Sequence, residues 1–204
     1  PGVIVTDFVD EGLNKFLRVK NPVDIRQLGE YVIIYDVEDS TGNKAVRLER
    51  EVSVRDTLRP EMLLVGEAVL ELEVGREYSD SGATAVDAFE GNMTGSIKVD
   101  NQVDTTKPGQ YEVRYNVEDG SGNKAEQLLR QVVVVDRIAP VITLEGDAVV
   151  KLLLKEAYVD LGALASDNVD GDITAKIEVT NPVNVELNGA YKVKYNVTDS
   201  SGNI

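Results

Sequence analysis

The chain has 204 residues and a formal net charge of −15, with 36 acidic and 21 basic side chains, and it contains no cysteine and no histidine. The acidic excess argues against nucleic acid or an anionic membrane as a partner and favours cations. Without cysteine or histidine the usual nucleophile and base pairs cannot form, disulfides are excluded, and we expect no enzyme active site. The apolar runs fall far short of the roughly 20 residues that a membrane-spanning helix needs.

The sequence repeats with a period of 80 residues. Residues 29–43 return as 109–123 and again as 189–203, without insertion or deletion. A period this long exceeds the roughly 20–50 residues of solenoid units, so it predicts an array of small domains. The predicted domains are an incomplete copy at 1–55 that lacks its first strands, a complete copy at 56–135, and a copy at 136–204 that lacks its last strand. We therefore expect the segment to belong to a longer protein.

Short strands with turn signals between them are predicted throughout each copy. In chain order the third copy gives 141–144, 148–154, 162–166, 177–180, 183–186 and 191–197, and the second copy shows the last strand at 128–135. Residues 111–118 alternate between apolar and polar side chains, which indicates a half-buried antiparallel strand. Residues 119–123 then have the composition of a hairpin turn. The pattern predicts an all-β fold of tandem immunoglobulin-like β-sandwiches, with about seven strands each.

A tyrosine begins the penultimate predicted strand of every copy. Tyr31, Tyr111 and Tyr191 each follow a glycine by two positions. This is the place of a tyrosine corner in immunoglobulin-like domains. Most other tyrosines of this strand also point inward, so we expect them in the core rather than at a sugar-binding surface.

Four ordered blocks carry a resemblance to a known family. They are residues 136–146, 158–163, 167–174 and 189–203. Together they resemble the bacterial surface immunoglobulin-like repeat, which also occurs in some pesticidal crystal proteins and is similar in pattern to the hyalin repeat. The resemblance implies stalk, spacer or adhesive modules of secreted or surface-anchored bacterial proteins. The second copy departs from the family pattern at 61–64 and 88–92.

The acidic loops are candidate calcium sites. Residues 167–172 hold three carboxylates and one amide, which suits a hard cation that takes six to eight oxygen ligands. In the predicted fold this loop, the hairpin and the preceding linker share one end of the domain, so their carboxylates could converge at the junction. The candidate ligands are Asp136, Asp167, Asp170, Asp172 and Asp199 in the third copy, and Asp56, Asp87, Glu90 and Asp119 in the less acidic second copy.

The same residues have a second explanation that needs no metal. Aspartate and asparagine before glycine are ordinary turn formers whose side chains bond nearby backbone. We favour that role for the hairpin residues Asp39, Asp119 and Asp199, and we favour calcium more in the loop of the third copy than in that of the second.

The linkers 55–60 and 135–140 are short and contain proline but neither glycine nor serine, which predicts restricted angles between neighbouring domains. We therefore expect a non-catalytic spacer or adhesion stalk of an extracellular or cell-surface protein, with calcium at its junctions. Its expected partners are the neighbouring domains of the chain, other cell-surface or matrix molecules, or copies of itself. Two alternatives remain: a filament or surface-layer subunit that assembles by strand exchange, and an accessory carbohydrate-binding module of a secreted enzyme.

Overall fold

The computed structural model describes residues 2–204, which are almost entirely β-strand and loop. Three short 3-10 helices, Leu13–Phe16, Thr94–Ser96 and Thr174–Lys176, interrupt the strands. The fifteen strands of the described chain are β1 (Arg18–Lys20), β2 (Gly29–Asp36), β3 (Leu48–Val54), β4 (Glu61–Leu64), β5 (Val69–Glu73), β6 (Ala83–Asp87), β7 (Gly91–Asn92), β8 (Lys98–Asn101), β9 (Gly109–Asn116), β10 (Leu128–Val135), β11 (Val141–Leu144), β12 (Ala163–Asp167), β13 (Gly171–Asp172), β14 (Glu178–Thr180) and β15 (Lys194–Asn196). The predicted all-β class is confirmed.

The complete copy contains seven strands in two sheets. One sheet has the order β5-β10-β9-β8 and the other the order β4-β6-β7. Strand β10 pairs antiparallel with β9 and parallel with β5, so it lies between an early and a late strand of the copy. The number of strands agrees with the predicted immunoglobulin-like pattern.

Alternation along β9 has the predicted consequence for burial. Val113 and Tyr115 are fully buried and Val117 is almost so, whereas Glu112 and Glu118 are exposed. Strand β10 contributes further buried valines from the neighbouring position of the same sheet. Period-two patterning therefore sets which face of this sheet is apolar.

The tyrosine corner is present in all three copies. Each tyrosine hydroxyl donates a hydrogen bond to the backbone carbonyl oxygen four residues earlier, at 2.9–3.1 Å. The pairs are Tyr31 with Gln27, Tyr111 with Lys107, and Tyr191 with Leu187. These hydroxyl groups fix the turn before the penultimate strand, which is a structural role.

A buried arginine connects β10 to the segment that precedes β6. The side chain of Arg130 has no exposed surface, and its guanidinium group pairs with Asp80 and donates to the carbonyl oxygens of Glu67 and Gly82 at 3.0 and 3.2 Å. The buried Tyr115 hydroxyl donates to Asp80 at 2.6 Å. Because an arginine loses its hydration on burial, this set of acceptors is what makes its position tolerable.

Three strand predictions in the third copy are wrong or too long. Residues 148–154 form no strand, and only Lys194–Asn196 of the predicted 191–197 strand is paired. Their counterparts in the second copy, β5 and β9, both pair with β10, and the 80-residue register puts the counterpart of β10 beyond residue 204. No strand forms at the predicted 183–186, because the chain turns at 184–187, where the Leu187 amide donates to the Asn184 carbonyl at 3.3 Å and the Asn184 side chain accepts from the Glu186 amide at 3.0 Å.

Backbone contacts divide the chain into two compact units. The first extends through Leu63 and includes Thr84–Ile97 and Asn116–Glu126, and the second comprises Leu64–Ala83, Lys98–Tyr115 and Gln127–Ile204. These units do not coincide with the copies of the repeat, whose boundaries stay a prediction. Among residues 2–204 there is no helix with the length and apolar character required to cross a membrane.

Candidate metal centres

Three aspartates converge in the second copy and again in the third. Each set combines the linker, the last residue of β6 or β12, and the hairpin after the penultimate strand. Within a set, one carboxylate oxygen from each residue lies within 4.8 Å of the others. The second-copy cluster is Asp56, Asp87 and Asp119, and the third-copy cluster is Asp136, Asp167 and Asp199.

Local hydrogen bonds orient these carboxylates. In the second-copy cluster, Asp87 Oδ1 accepts from the amides of Phe89 and Glu90 at 2.7 and 3.0 Å, and Asp56 Oδ1 accepts from the Leu58 amide at 3.0 Å. Such bonds are the ordinary turn chemistry of aspartate. They engage the first oxygen of each group, whereas neither second oxygen has a hydrogen-bond partner among residues 2–204.

The second-copy cluster is well shielded from solvent. Asp87 is 3% exposed and Asp119 is 6% exposed. The Oδ2 atoms of Asp56 and Asp87 are buried and have no hydrogen-bond partner among residues 2–204. Turn formation explains the first oxygen of each carboxylate, but it does not explain why two second oxygens are buried together without a donor.

The third-copy cluster uses equivalent positions but differs in burial and in its hydrogen bonds. Asp136 and Asp199 are each 7% exposed, and Asp167 Oδ2 is buried without a partner in the described chain. However, Asp136 Oδ2 accepts a hydrogen bond from the Ser201 hydroxyl at 3.1 Å. One of the oxygens that could face a cation is therefore already engaged.

The hairpin aspartates stay ionised despite their burial. Burial favours the neutral form of Asp119, but hydrogen bonds from the Asn123 side chain and from the amides of Asn123 and Ser121 bring its pKa below the usual value. Asp199 has a lowered pKa for the same reasons, with Asn203 as the main donor. Each cluster thus keeps at least one firmly charged carboxylate.

The other predicted ligands lie outside both clusters. Asp170 accepts from the Ser200 amide at 2.7 Å and from Lys176 at 3.0 Å, and hydrogen bonds from Ser200 and Lys176 lower its pKa. Its counterpart Glu90 accepts from the amide of Gly120. Both side chains therefore tie the loop to the hairpin.

Asp172 also has a local role. It accepts from the Thr174 amide at 3.0 Å, a bond that lowers its pKa. In the second copy Asn92 makes the same bond to Thr94, so this position does not need a charge.

Both linkers are bonded to the copies on either side. In the second linker, Arg137 donates from its amide to Glu73 at 2.8 Å and from its guanidinium to Glu71 at 2.5 Å, both on β5 of the preceding copy. The adjacent Asp136 carbonyl accepts from the side chain of Asn203, in the hairpin of the following copy, at 3.2 Å. The linker is thus held from both directions.

The first linker repeats this arrangement with other residues. Arg55 donates to Ser53 at 2.7 Å and to Glu30 at 3.3 Å in the first copy, while Asn123 of the second copy donates to the Asp56 carbonyl at 3.4 Å. Sequence reasoning missed these contacts. The available signal was the recurrence of asparagine at the end of each hairpin and of an arginine next to each linker aspartate.

The strand order and the tyrosine corners define the class as all-β and immunoglobulin-like. A family model described as bacterial surface protein, Ig-like domain, matches residues 62–134 and 142–204. The chain therefore belongs to this family of bacterial surface domains, as its sequence blocks indicated.

Comparison with individual proteins gives one curated relative and several distant structures. The chain is 32% identical over 213 aligned residues to pesticidal crystal protein Cry22Aa of Bacillus thuringiensis, covering 99% of this chain and 28% of that protein's length. The lipoprotein BT2262 from Bacteroides thetaiotaomicron shows 25% identity, 39% coverage of each chain and a TM-score of 0.36. The M60 catalytic domain of Clostridium perfringens ZmpB with its CBM51-1 and CBM51-2 domains shows 14% identity, covers 74% of this chain and 30% of its own, and has a TM-score of 0.33.

Proposed function

We propose that the chain is a non-catalytic spacer or adhesion-stalk segment of a secreted or cell-surface bacterial protein. Membership of a bacterial surface family supports the setting. The observation that carries the spacer role is that each linker is hydrogen-bonded both to the copy before it and to the copy after it. A linker held in this way limits the angles available to neighbouring domains. The direct partners in this proposal are the domains of the same chain.

The restraint at each linker is graded rather than absolute. The Arg137–Glu71 pair is more than half exposed on both sides, so the ion pair itself contributes only about 0–1 kcal/mol. The less exposed bonds add to it, because the Asp136 carboxylate caps the Ile138 amide at 3.1 Å and its carbonyl is bonded to Asn203. Several modest bonds across six residues favour a semi-rigid spacer over a flexible coil.

A cation is a further part of this proposal. Calcium bound to a linker aspartate together with loop and hairpin aspartates would connect the linker to the following copy more strongly than hydrogen bonds alone. The hydrogen bonds described above act without it, so the spacer role does not depend on metal.

The spacer role is testable by distance measurements across the second linker. The chain has no cysteine, so Lys98→Cys and Lys192→Cys introduce unique sites for spin labels on the second and third copies. In chelator, we expect a narrow distance distribution for the otherwise unchanged chain and a broader one for Arg137→Ala.

Arg114→Ala is the matched control for this experiment. It removes an arginine that pairs with Glu112 inside one sheet, at 2.6 Å, and it should leave the distribution unchanged. A distribution that is already broad in the parent chain, and equally broad in Arg137→Ala, would contradict the spacer role.

A further inference from the structure

We propose that Asp56, Asp87 and Asp119 form a calcium-binding site, and that this site takes the cation in preference to the third-copy cluster. The inference deepens the proposed function, and only its mechanical consequence rests on that function. It differs from the expectation based on sequence, which favoured the more acidic loop of the third copy.

Three negative charges lie close together in the second-copy cluster. Three aspartate side chains are brought together with carboxylate oxygens inside 4.8 Å. Like charges at this separation repel one another, and the repulsion is stronger where water is excluded. A divalent cation among the three oxygens replaces repulsion by attraction.

Geometry is the second step. Calcium binds oxygen at about 2.3–2.6 Å, so two ligand oxygens of one ion lie no more than about 5 Å apart. Separations inside 4.8 Å satisfy this limit without movement of the backbone. The Oδ1 bonds of Asp56 and Asp87 hold both carboxylates in place, so little ordering remains to be done on binding.

Two carboxylate oxygens of the second-copy cluster are buried without a hydrogen-bond donor among residues 2–204. Asp87 is 97% buried, which follows from its exposed fraction of 3%, yet its Oδ2 has no donor in the described part of the chain. The Oδ2 atom of Asp56 is also buried and also lacks a donor there. A buried acceptor without a donor costs roughly 1–3 kcal/mol, and a charged one costs more, so these two atoms point to a ligand.

The type of ligand follows from the donor atoms. All three side chains offer carboxylate oxygen, and the chain has neither histidine nor cysteine, the preferred ligands of zinc. Oxygen-only sites suit calcium, magnesium or manganese. Calcium fits best because it accepts irregular geometry, whereas magnesium demands a near-ideal octahedron.

The preference between clusters follows from the hydroxyl group of Ser201. In the third-copy cluster this group donates to Asp136 Oδ2, the counterpart of the unpartnered Asp56 Oδ2. A cation there would share Asp136 Oδ2 with a hydrogen bond that already satisfies this oxygen, so it gains less on binding. In the second-copy cluster both Asp56 and Asp87 offer oxygens that are free of donors.

Calcium titration calorimetry on the whole chain tests the inference, with the variants Asp87→Asn, Asp56→Asn and Asp167→Asn. Asparagine keeps the Oδ1 acceptor and removes the charge. We expect the parent chain to bind calcium, the two second-copy variants to lose at least tenfold in affinity for the tighter site, and Asp167→Asn to retain that site. Asp100→Asn removes an exposed carboxylate of β8 and should bind as the parent does.

The outcomes decide the proposal in either direction. No binding up to about 10 mM calcium, above the roughly 0.1–1 mM dissociation constants of extracellular modules, would overturn it. Parent-like binding by both Asp87→Asn and Asp56→Asn would do the same, as would loss of the tighter site in Asp167→Asn alone. If Asp87→Asn does not fold, Asp56→Asn decides, since Asp56 is less buried. The distance measurement in chelator tests the spacer role separately.

Discussion

The second and third copies carry three aspartates at equivalent positions, but they place them in different surroundings. The third copy has the more acidic loop, yet Asp170 and Asp172 accept hydrogen bonds from Ser200 and Thr174 within the domain. The second copy has fewer acidic residues, yet it buries two carboxylate oxygens that meet no donor. The number of carboxylates in a loop therefore does not tell which carboxylate oxygens are buried without a donor.

The largest expected effect on stability comes from Arg130 in the second copy. Arg130→Met leaves the partly buried Asp80 without its cationic partner, and breaking a buried pair from one side costs about 3–5 kcal/mol. We expect a loss of about 3 kcal/mol in the free energy of unfolding of the second copy, measured by urea denaturation with tyrosine fluorescence. Arg114→Met, which breaks an exposed pair, should cost less than about 1 kcal/mol. Equal effects of the two changes would show that the buried arginine does not stabilise the second copy.

Asp87→Asn should raise the melting temperature relative to the parent chain in chelator and lower it in calcium. In chelator the change removes a buried charge from a repelling group, so the melting temperature should rise. In calcium at about 100 times the dissociation constant the parent gains about 2.7 kcal/mol and the variant gains little. Asp167→Asn in the third copy should leave the calcium response of the second copy intact. A fall in melting temperature for Asp87→Asn in chelator would count against the idea of a repelling cluster.

A smaller effect on stability is expected at the turn after β5 of the second copy and at the equivalent turn of the third copy. Lys155 has a φ of 67°, where its second-copy counterpart is Gly75 with a φ of 78°. A side chain in this left-handed region costs about 1–2 kcal/mol relative to glycine. Lys155→Gly should therefore stabilise the third copy by about 1 kcal/mol, seen as slower hydrogen exchange, and Gly75→Lys should destabilise the second copy. Faster exchange in Lys155→Gly would mean that the turn is not strained.

The smallest expected effect on stability concerns the hairpin of the first copy. Asp39 is the hairpin aspartate of the first copy, and hydrogen bonds from the Asn43 side chain and backbone lower its pKa to about 2. Because the folded pKa lies below the usual value near 3.8, its stabilising contribution is present above pH 4 and is lost as the pH falls through 2. Asp39→Asn should lower the melting temperature at pH 6, with or without calcium, and the difference should disappear near pH 2. A calcium-dependent effect of this change would show that the hairpin aspartate is also a ligand.

Much of the fold could be predicted because its signals are local. Alternation along 111–118 and the glycine-tyrosine corner specify strand faces and a turn without knowledge of the partner strand. Residues 148–154 were wrongly predicted as a strand, since an apolar run does not show whether a neighbouring strand is there to pair with it. The missing neighbour was visible only in the sheet order of the second copy.

The candidate sites were predictable in membership but not in detail. The 80-residue register and the turn chemistry pointed equally to Asp56, Asp87, Asp119 and Glu90. The structure separates Glu90 from the three aspartates, because Glu90 accepts from the Gly120 amide while the aspartates lie close to one another. The inward position of Arg130 on β10 breaks the apolar alternation. Its counterpart Arg50 repeats the break but is exposed on β3, so the register marks the position without predicting burial.

The restraint of the first linker by calcium is tested most directly by the distance distribution between spin labels at Lys20→Cys and Lys98→Cys. Calcium should narrow the distribution relative to chelator in the parent chain, since the ion would connect linker residue Asp56 to Asp87 at the end of β6 and to Asp119 in the hairpin. In Asp87→Asn the two distributions should be the same. A parent chain that binds calcium with no change in width would contradict the claim that the cation restrains the linker.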